Sequence, residues 1–359
     1  MENIVYLLGS GATMGELDIQ GIESHLSMSE IEQSVYALSK ATNGSYAKLH
    51  DDFGIPPGVD IELVISLLES CTFLKAADYD ETCNELRELF RRYLISQIAK
   101  KKVKPDISSS LLHMHIEYGN DMGESGEKLI GILTTNYDSL LENAYQSIYG
   151  AINCGRPFYS NVYSNNTDLP SLLKLHGSFN WRVVRKGILQ KQTLEINREF
   201  EETSVPDGSG LWVPPSVYKK PEGFLKKMWN QAADLLVQCH TLRVIGSSLR
   251  NEDAAILSLI FTSRIRRQSS GAGMFNIELI VPDDVAVGGD DRPNAIMQRL
   301  RLMGEMQNYS KLPVYPTGFT STGNVYKEWV EMKIKEIERN KGVALSDDKL
   351  LSDGLHWEV

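Results

Sequence analysis

Cysteine is scarce in this chain. Its four cysteines, Cys71, Cys83, Cys154 and Cys239, lie far apart and form no CxxC pair. That excludes a disulfide framework and a thiolate zinc ribbon, and fits reduced thiols. No apolar run approaches the length of a membrane span. The opening MENIVYLLGSGATMGE has no basic lead-in, no long apolar region and no small-residue cleavage site, so no signal peptide is expected and the protein is expected in the cytoplasm. Positive charge is also short, with 37 Lys and Arg against 47 Asp and Glu and a formal net charge of -10. Coating nucleic acid unaided needs clustered basic side chains to neutralise phosphates, so direct sequence-specific nucleic-acid binding is not expected. There is no internal repeat and no low-complexity segment.

What is present is an ordinary globular composition, 42% hydrophobic and 23% charged over 359 residues, enough for one large domain or two ordinary ones. Short apolar runs without strand-type alternation recur at IVYLLG (4–9), LIGILTT (129–135), SLLKLHG (171–177), LRVIGSS (242–248) and IELIVP (277–282), with a weaker sixth at LPVYP (312–316). Continuous runs of this length suit strands buried on both faces, which predicts an α/β fold: a Rossmann-like parallel sheet with helices on both faces. The core is expected over 1–20 and 129–320. Residues 21–128 read as a helical insertion packed on it, since VDIELVISLLESC and ETCNELRELFRRYLISQIAKKK place apolar residues three and four apart. A second insertion, 182–240, begins with strand-like RVVRKGILQKQTLEI, passes a PDGSG loop and ends in the helix GFLKKMWNQAADLLVQC. Residues 321–359 are expected to hold a helix and an acidic tail.

Four stretches at strand ends carry possible chemistry. GSGAT, Gly9 to Thr13, is either a simple strand-to-helix turn or a glycine loop whose amides and following helix face a phosphate. A dehydrogenase would want an acidic residue at the end of a second strand, whereas GIESHLSMSEIEQ reads as helix and loop. TTNYD holds Thr134, Thr135, Asn136 and Asp138; Asp138 suits a helix N-cap, and Asn136 either closes a turn or points into a crevice. KLHGSFNW places His176 at a strand end, as a structural histidine or a general base. VIGSSLRNED offers Gly246, Ser247 and Ser248, as a helix cap or as partners for phosphate and ribose. All four stretches share the C-terminal edge, where open α/β sheets place ligands. The histidines of LLHMH (111–115) are two apart on a helix and point to different faces, which argues against a metal site.

Taken in order, GSGAT, TTNYD, KLHGS and IGSSL resemble the sirtuin pattern of Gly-Ala-Gly, Thr-Gln-Asn-Ile-Asp, Leu-His-Gly and Gly-Thr-Ser. More closely, they resemble the sirtuin-like domains of bacterial antiviral (anti-phage) defence systems, to which VPPSVYKKP, GSSLRNEDAAI and the acidic-aliphatic DIELVISLLE are also similar. The resemblance covers most of residues 3–282. It implies NAD+ as substrate, with Asn136 holding the nicotinamide ribose or the attacking water and His176 acting on ribose hydroxyls or as general base. It implies a pyrophosphate site at Gly9, Ser10, Gly11 and Thr13, and support from Thr135 and from Asp138, which would steady the asparagine loop. Gly246, Ser247 and Ser248 would meet phosphate or ribose, and Asp283 would accept ribose hydroxyls at the adenine end.

The departures from the pattern are equally specific. The two CxxC pairs of deacylating sirtuins are missing, so no zinc is expected. MGELDIQGI offers no arginine after the glycine loop, the loop after Gly246 lacks the proline-bearing segment that clamps an acyl-lysine peptide, and IVPDD replaces an asparagine-bearing strand. The resemblance therefore implies an NAD+ glycohydrolase, with an NAD-dependent protein deacylase or a non-catalytic NAD+ or ADP-ribose sensor as alternatives. It also implies gating by a homo-oligomer or a separate partner such as a HerA-type ring ATPase or a short Argonaute. The candidate contact segments are FRRYLISQIAKKKVK (90–104) and TSRIRRQ.

Overall fold

The structure is a computed structural model that describes residues 1–23, 27–56, 58–74, 79–98, 103–117, 126–150, 152–153, 163–164, 169–186, 191–196, 210–213, 221, 223–247, 249, 253–280 and 325–340. Its strands are β1 (Glu2–Leu8), β2 (Glu127–Thr134), β3 (Ile152–Asn153), β4 (Tyr163–Ser164), β5 (Ser171–Lys174), β6 (Gly177–Lys186), β7 (Lys191–Ile196), β8 (Gly210–Trp212), β9 (Thr241–Ile245) and β10 (Asn276–Ile280). Seven of them form a sheet of order β10-β9-β1-β2-β5-β3-β4 in which every neighbouring pair is parallel. The apolar runs explain this directly: Ile4–Leu8 and Thr241–Ile245 are buried throughout, as central parallel strands require. β1 is the pivot, since the chain leaves it toward β2 and later returns to its other side as β9.

Ten helices are described: α1 (Ser10–Ile19), α2 (Met28–Ala41), α3 (Ser45–Phe53), α4 (Ile61–Phe73), α5 (Asp80–Ile98), α6 (Asp106–Glu117), α7 (Leu140–Tyr149), α8 (Gly223–Gln238), α9 (Ala254–Ser269) and α10 (Val325–Asn340). α8 and α9 cover one face of the sheet; α1, α6, α7 and α10 cover the other. The fold is therefore the expected α/β one, a parallel sheet wrapped on both faces.

Helices α2 to α5 pack on one another around their own core, which includes Ile31, Val35, Tyr46, Ile65, Leu86 and Phe90. Local signals start them. Ser27 and Glu30 form a reciprocal capping box at α2, and the Asp60 side chain accepts the Glu62 amide at the start of α4. α6 also lies within 21–128, yet Leu111, Leu112 and Met114 join the sheet's core, and its first amides, from Ile107 and Ser108, donate to the Glu16 carboxylate of α1.

The expected strand at 171–177 is divided. β5 ends at Lys174, and Gly177 at φ 74° turns the chain into β6 of a separate antiparallel sheet ordered β7-β6-β8. The helix expected beyond 320 is α10, whose Trp329 and Val330 are buried in the main core. The LPVYP run, Cys154 and the acidic tail lie outside the described residues. No described helix is long and apolar enough to cross a membrane.

Candidate active site

The C-terminal ends of β1, β2, β5 and β9 are stitched together by backbone. Gly9 N donates to Ile245 O (2.9 Å), Gly11 N to Gly246 O (2.9 Å), Thr135 N to Leu8 O (3.2 Å) and Leu175 N to Thr134 O (2.8 Å). The first two bonds need glycine. A Cβ on Gly9 would sit 2.6 Å from Gly246 O, and one on Gly246, at φ +61°, would sit 2.3 Å from the Ala12 nitrogen. Gly11 and Gly246 thus pack against each other and do not line the cleft in front of them. The amides of Gly9, Gly11 and Ala12 are all taken by protein carbonyls. An anion at this end is therefore left the N-terminus of α1 and the side chains of Ser10 and Ser247, both of which line the cleft, instead of the full amide cradle expected from GSGAT.

Asn136 follows β2. Its backbone amide donates to Thr134 Oγ1 (3.1 Å), and its Nδ2 donates to Gly9 O (2.9 Å) and Thr13 Oγ1 (3.0 Å). Thr13 Oγ1 in turn donates to Asp138 Oδ2 (2.6 Å), so the hydroxyl must accept from Asn136, which fixes which end of the carboxamide carries the hydrogens. Both amide hydrogens hold the loop, and Asn136 Oδ1 is the end left to accept from a ligand hydroxyl or water. Asp138 does two jobs, because its Oδ1 also accepts the Leu140 amide (3.0 Å) at the start of α7.

His176, just past β5, lines the same cleft and is buried. Its carbonyl accepts the Val213 amide (2.8 Å), and its ring lies 6.1 Å from that of Tyr137. Between the two loops runs a buried lysine. Lys174 Nζ donates to the Asp138 carbonyl, to Glu142 Oε1 (2.8 Å) and to Ser178 Oγ (2.8 Å), and Ser178 Oγ donates to the Tyr137 carbonyl (2.8 Å). Burial pushes Glu142 up against the pull of that ammonium.

Thr135, Asp138 and Thr13 also border the cleft, which is open to solvent and offers about 160 Å³ to the centres of water-sized occupants. Sequence reasoning missed its other wall. Tyr137 and Phe179 stack at 4.7 Å, Phe90 meets both edge-on, and Trp212 stacks on Phe90 at 6.3 Å. Met28, Ile31, Leu94 and Ile98 from α2 and α5 extend this apolar wall, and two carboxylates, Glu62 and Asp253, join it. Burial first, then the charges of Glu62 and Asp253, push the Tyr137 phenol well up, so it stays a neutral donor to Val213 O (2.6 Å). The signals available were the neighbours of Asn136 and His176 in sequence and the DIELVISLLE stretch; Asp253 had none beyond its motif's acidic end. Ser248 and Asp283 lie outside the described residues. Among the described residues no cluster of three or more His, Cys, Asp or Glu could hold a metal ion.

Fold and site together define an open α/β protein with a ligand cleft at the edge where Asn136 and His176 converge. Residues 131–273 match the family model described as a SIR2-like domain. No curated protein matches the chain. Among solved structures, a Sir2 homologue in complex with NAD is 13% identical, with 93% of this chain and 90% of that one covered and a TM-score of 0.45. A mutant Sir2 homologue in complex with ADP-ribose is 14% identical, covering 96% and 95%, with a TM-score of 0.44.

Proposed function

We propose that the protein is an NAD+ glycohydrolase that cleaves NAD+ with water to nicotinamide, ADP-ribose and a proton. The observation that carries this reading is the Asn136 carboxamide, locked by Gly9, Thr13 and Asp138 beside His176 in one cleft. The SIR2-like match over 131–273, which includes both residues, supports it. The glycosidic bond breaks with its electron pair leaving on nicotinamide, which departs neutral, so the reaction needs positioning and support of a cationic ribose more than leaving-group protonation. Asn136 Oδ1 would orient the ribose or the attacking water, and His176 would take the water's proton. Ser10, Ser247 and the N-terminus of α1 would face the pyrophosphate.

A chain without CxxC pairs cannot build the two-CxxC zinc module of deacylating sirtuins, which favours hydrolysis over deacylation. Free NAD+ hydrolysis would drain its host, so this reading includes gating, by homo-oligomer assembly or by a separate ring ATPase or short Argonaute, in an effector that depletes NAD+ during anti-phage defence in the cytoplasm. The test is nicotinamide release by chromatography from the wild type, Asn136→Ala and His176→Ala. Each substitution is expected to lower turnover at least about 10²-fold. Equal rates in all three proteins would overturn the assignment.

A further inference from the structure

Lys174 ends β5 at 1% exposure, two residues before His176. An ammonium has three hydrogens, and here each has its own acceptor: the Asp138 carbonyl, Glu142 Oε1 at 2.8 Å and Ser178 Oγ at 2.8 Å. Ser178 Oγ spends its one hydrogen on the Tyr137 carbonyl at 2.8 Å. The carbonyls of the two residues that follow Asn136 are therefore both held from Lys174, one directly and one through Ser178. Tyr137 and Asp138 are fixed at the backbone, whatever their side chains do.

The two side chains that hold this loop also bracket the histidine. Lys174 lies two residues before His176 and Ser178 two after, and they meet where Gly177, at φ 74°, turns the chain from β5 into β6. The bend itself is fixed by backbone: the Leu175 amide donates to Thr134 O at 2.8 Å, and the His176 carbonyl accepts the Val213 amide at 2.8 Å. One ammonium thus ties the loop of the asparagine to the bend of the histidine. Stability alone is a poor account of it, because a buried ion pair such as Lys174–Glu142 is often no more stabilising than apolar side chains of the same volume. Positioning accounts for where the other two hydrogens go.

We propose that Lys174, with Ser178 as its relay, is a positioning residue that sets the spacing of Asn136 and His176 across the cleft. Its effect on turnover rests on the NAD+ cleavage reading. Lys174 does not line the cleft, and its hydrogens are spent inside the protein, so it acts only through the two groups it spaces. Those groups must meet the same ribose and the same water, and a shift of about 1 Å between them costs about 10²-fold in rate. The pyrophosphate end is left to Ser10, Ser247 and the N-terminus of α1, which Lys174 and Ser178 do not contact. Loss of the network therefore slows the chemical step and spares the grip on the dinucleotide.

The experiment uses the full chain with two variants. Lys174→Met combined with Glu142→Gln removes the ammonium without leaving a buried carboxylate unpaired, and Ser178→Ala removes only the relay to the Tyr137 carbonyl. Nicotinamide release, ADP-ribose affinity by calorimetry, melting temperature and amide hydrogen exchange are measured together. The expected result is a kcat lower by about 10²-fold in the double variant and about 10-fold in Ser178→Ala, with KM for NAD+ and ADP-ribose affinity as in wild type. Unchanged kcat in the double variant overturns the proposal. So does a loss of kcat matched by parallel losses of ADP-ribose affinity and melting temperature, which would mark the network as structural. If the double variant does not fold, Ser178→Ala decides by the same criteria. If the wild type releases no nicotinamide, the hydrolase reading fails on its own and exchange decides the positioning role. Faster exchange confined to the Asn136 and Leu140 amides supports it, and wild-type exchange at both overturns it.

Discussion

Asn136 keeps its orientation through a chain of hydrogen bonds that passes along Thr13 to Asp138, so Thr13 is a positioning residue even though its hydroxyl is spent within the protein. Thr13→Val preserves shape and removes both bonds. It leaves Asp138 Oδ2 without its donor and Asn136 Nδ2 with Gly9 O alone. Turnover of NAD+ is expected to fall about 10- to 100-fold, and Thr13→Ser to recover most of it. Full activity in Thr13→Val would show that the chain does not orient the asparagine. At this scale the sequence made Asn136 and His176 legible, because a carboxamide or an imidazole at the C-terminal end of a buried run is unusual enough to be noticed. Lys174 was not legible as a bolt between two loops, since its partners Glu142 and Ser178 are identified only once β5 and α7 are side by side.

Among the elements, the β1–α1 turn and the loop after β9 approach each other closely. Gly9→Ala would drive a methyl into Gly246 O at 2.6 Å and Ser247 Cα at 2.7 Å, both backbone atoms that cannot rotate away. It is expected to cost about 1–3 kcal/mol in urea unfolding and to lower NAD+ or ADP-ribose affinity as Ser10 and Ser247 separate. Wild-type stability in Gly9→Ala would mean that the two loops do not touch in solution. The five strands read from continuous apolar runs are all present, because burial on both faces leaves that pattern and few alternatives. The reading of LLHMH as helix could not say which surface α6 meets, and its apolar face meets the sheet, not α2 to α5. The two-residue strands β3 and β4 are too short to leave any pattern.

Over the whole molecule, a buried polar network joins two helices of one face, α6 and α10, to the sheet. Arg243 of β9 binds Glu127 of β2 and Glu278 of β10, donates to Tyr6 of β1 at 3.1 Å and lies under Trp329 of α10 at 5.4 Å. The Tyr6 hydroxyl, which accepts from Arg243, also lies 2.8 Å from His115 Nε2 of α6 and can give its own hydrogen to a neutral imidazole there. Burial first, then the Arg243 charge, push His115 down from 6.5 to about 3. An unfolded chain takes up that proton below about pH 6.5 and the folded chain does not. The stabilisation is therefore whole above the unfolded value and is lost as pH falls from about 6.5 toward about 3. Glu16, raised to about 7 chiefly by burial, acts in the opposite sense over the upper part of that range, so the histidine's share is read as a difference between proteins. The loss of stability between pH 7.5 and 5.5 is expected to be smaller by about 1 kcal/mol in His115→Gln than in wild type. Identical pH dependence in both would contradict a neutral buried His115.

The products that leave the cleft distinguish a hydrolase from a deacylase. The most direct measurement is mass-spectrometric identification of the products formed from NAD+ by the wild-type chain, across a range of protein concentrations, with and without an acetyl-lysine peptide. Equal amounts of nicotinamide and unmodified ADP-ribose, formed without the peptide and unchanged by it, are the predicted result. Nicotinamide released only when the peptide is present, together with acetylated ADP-ribose, would contradict the hydrolase and establish a deacylase built on the same asparagine and histidine.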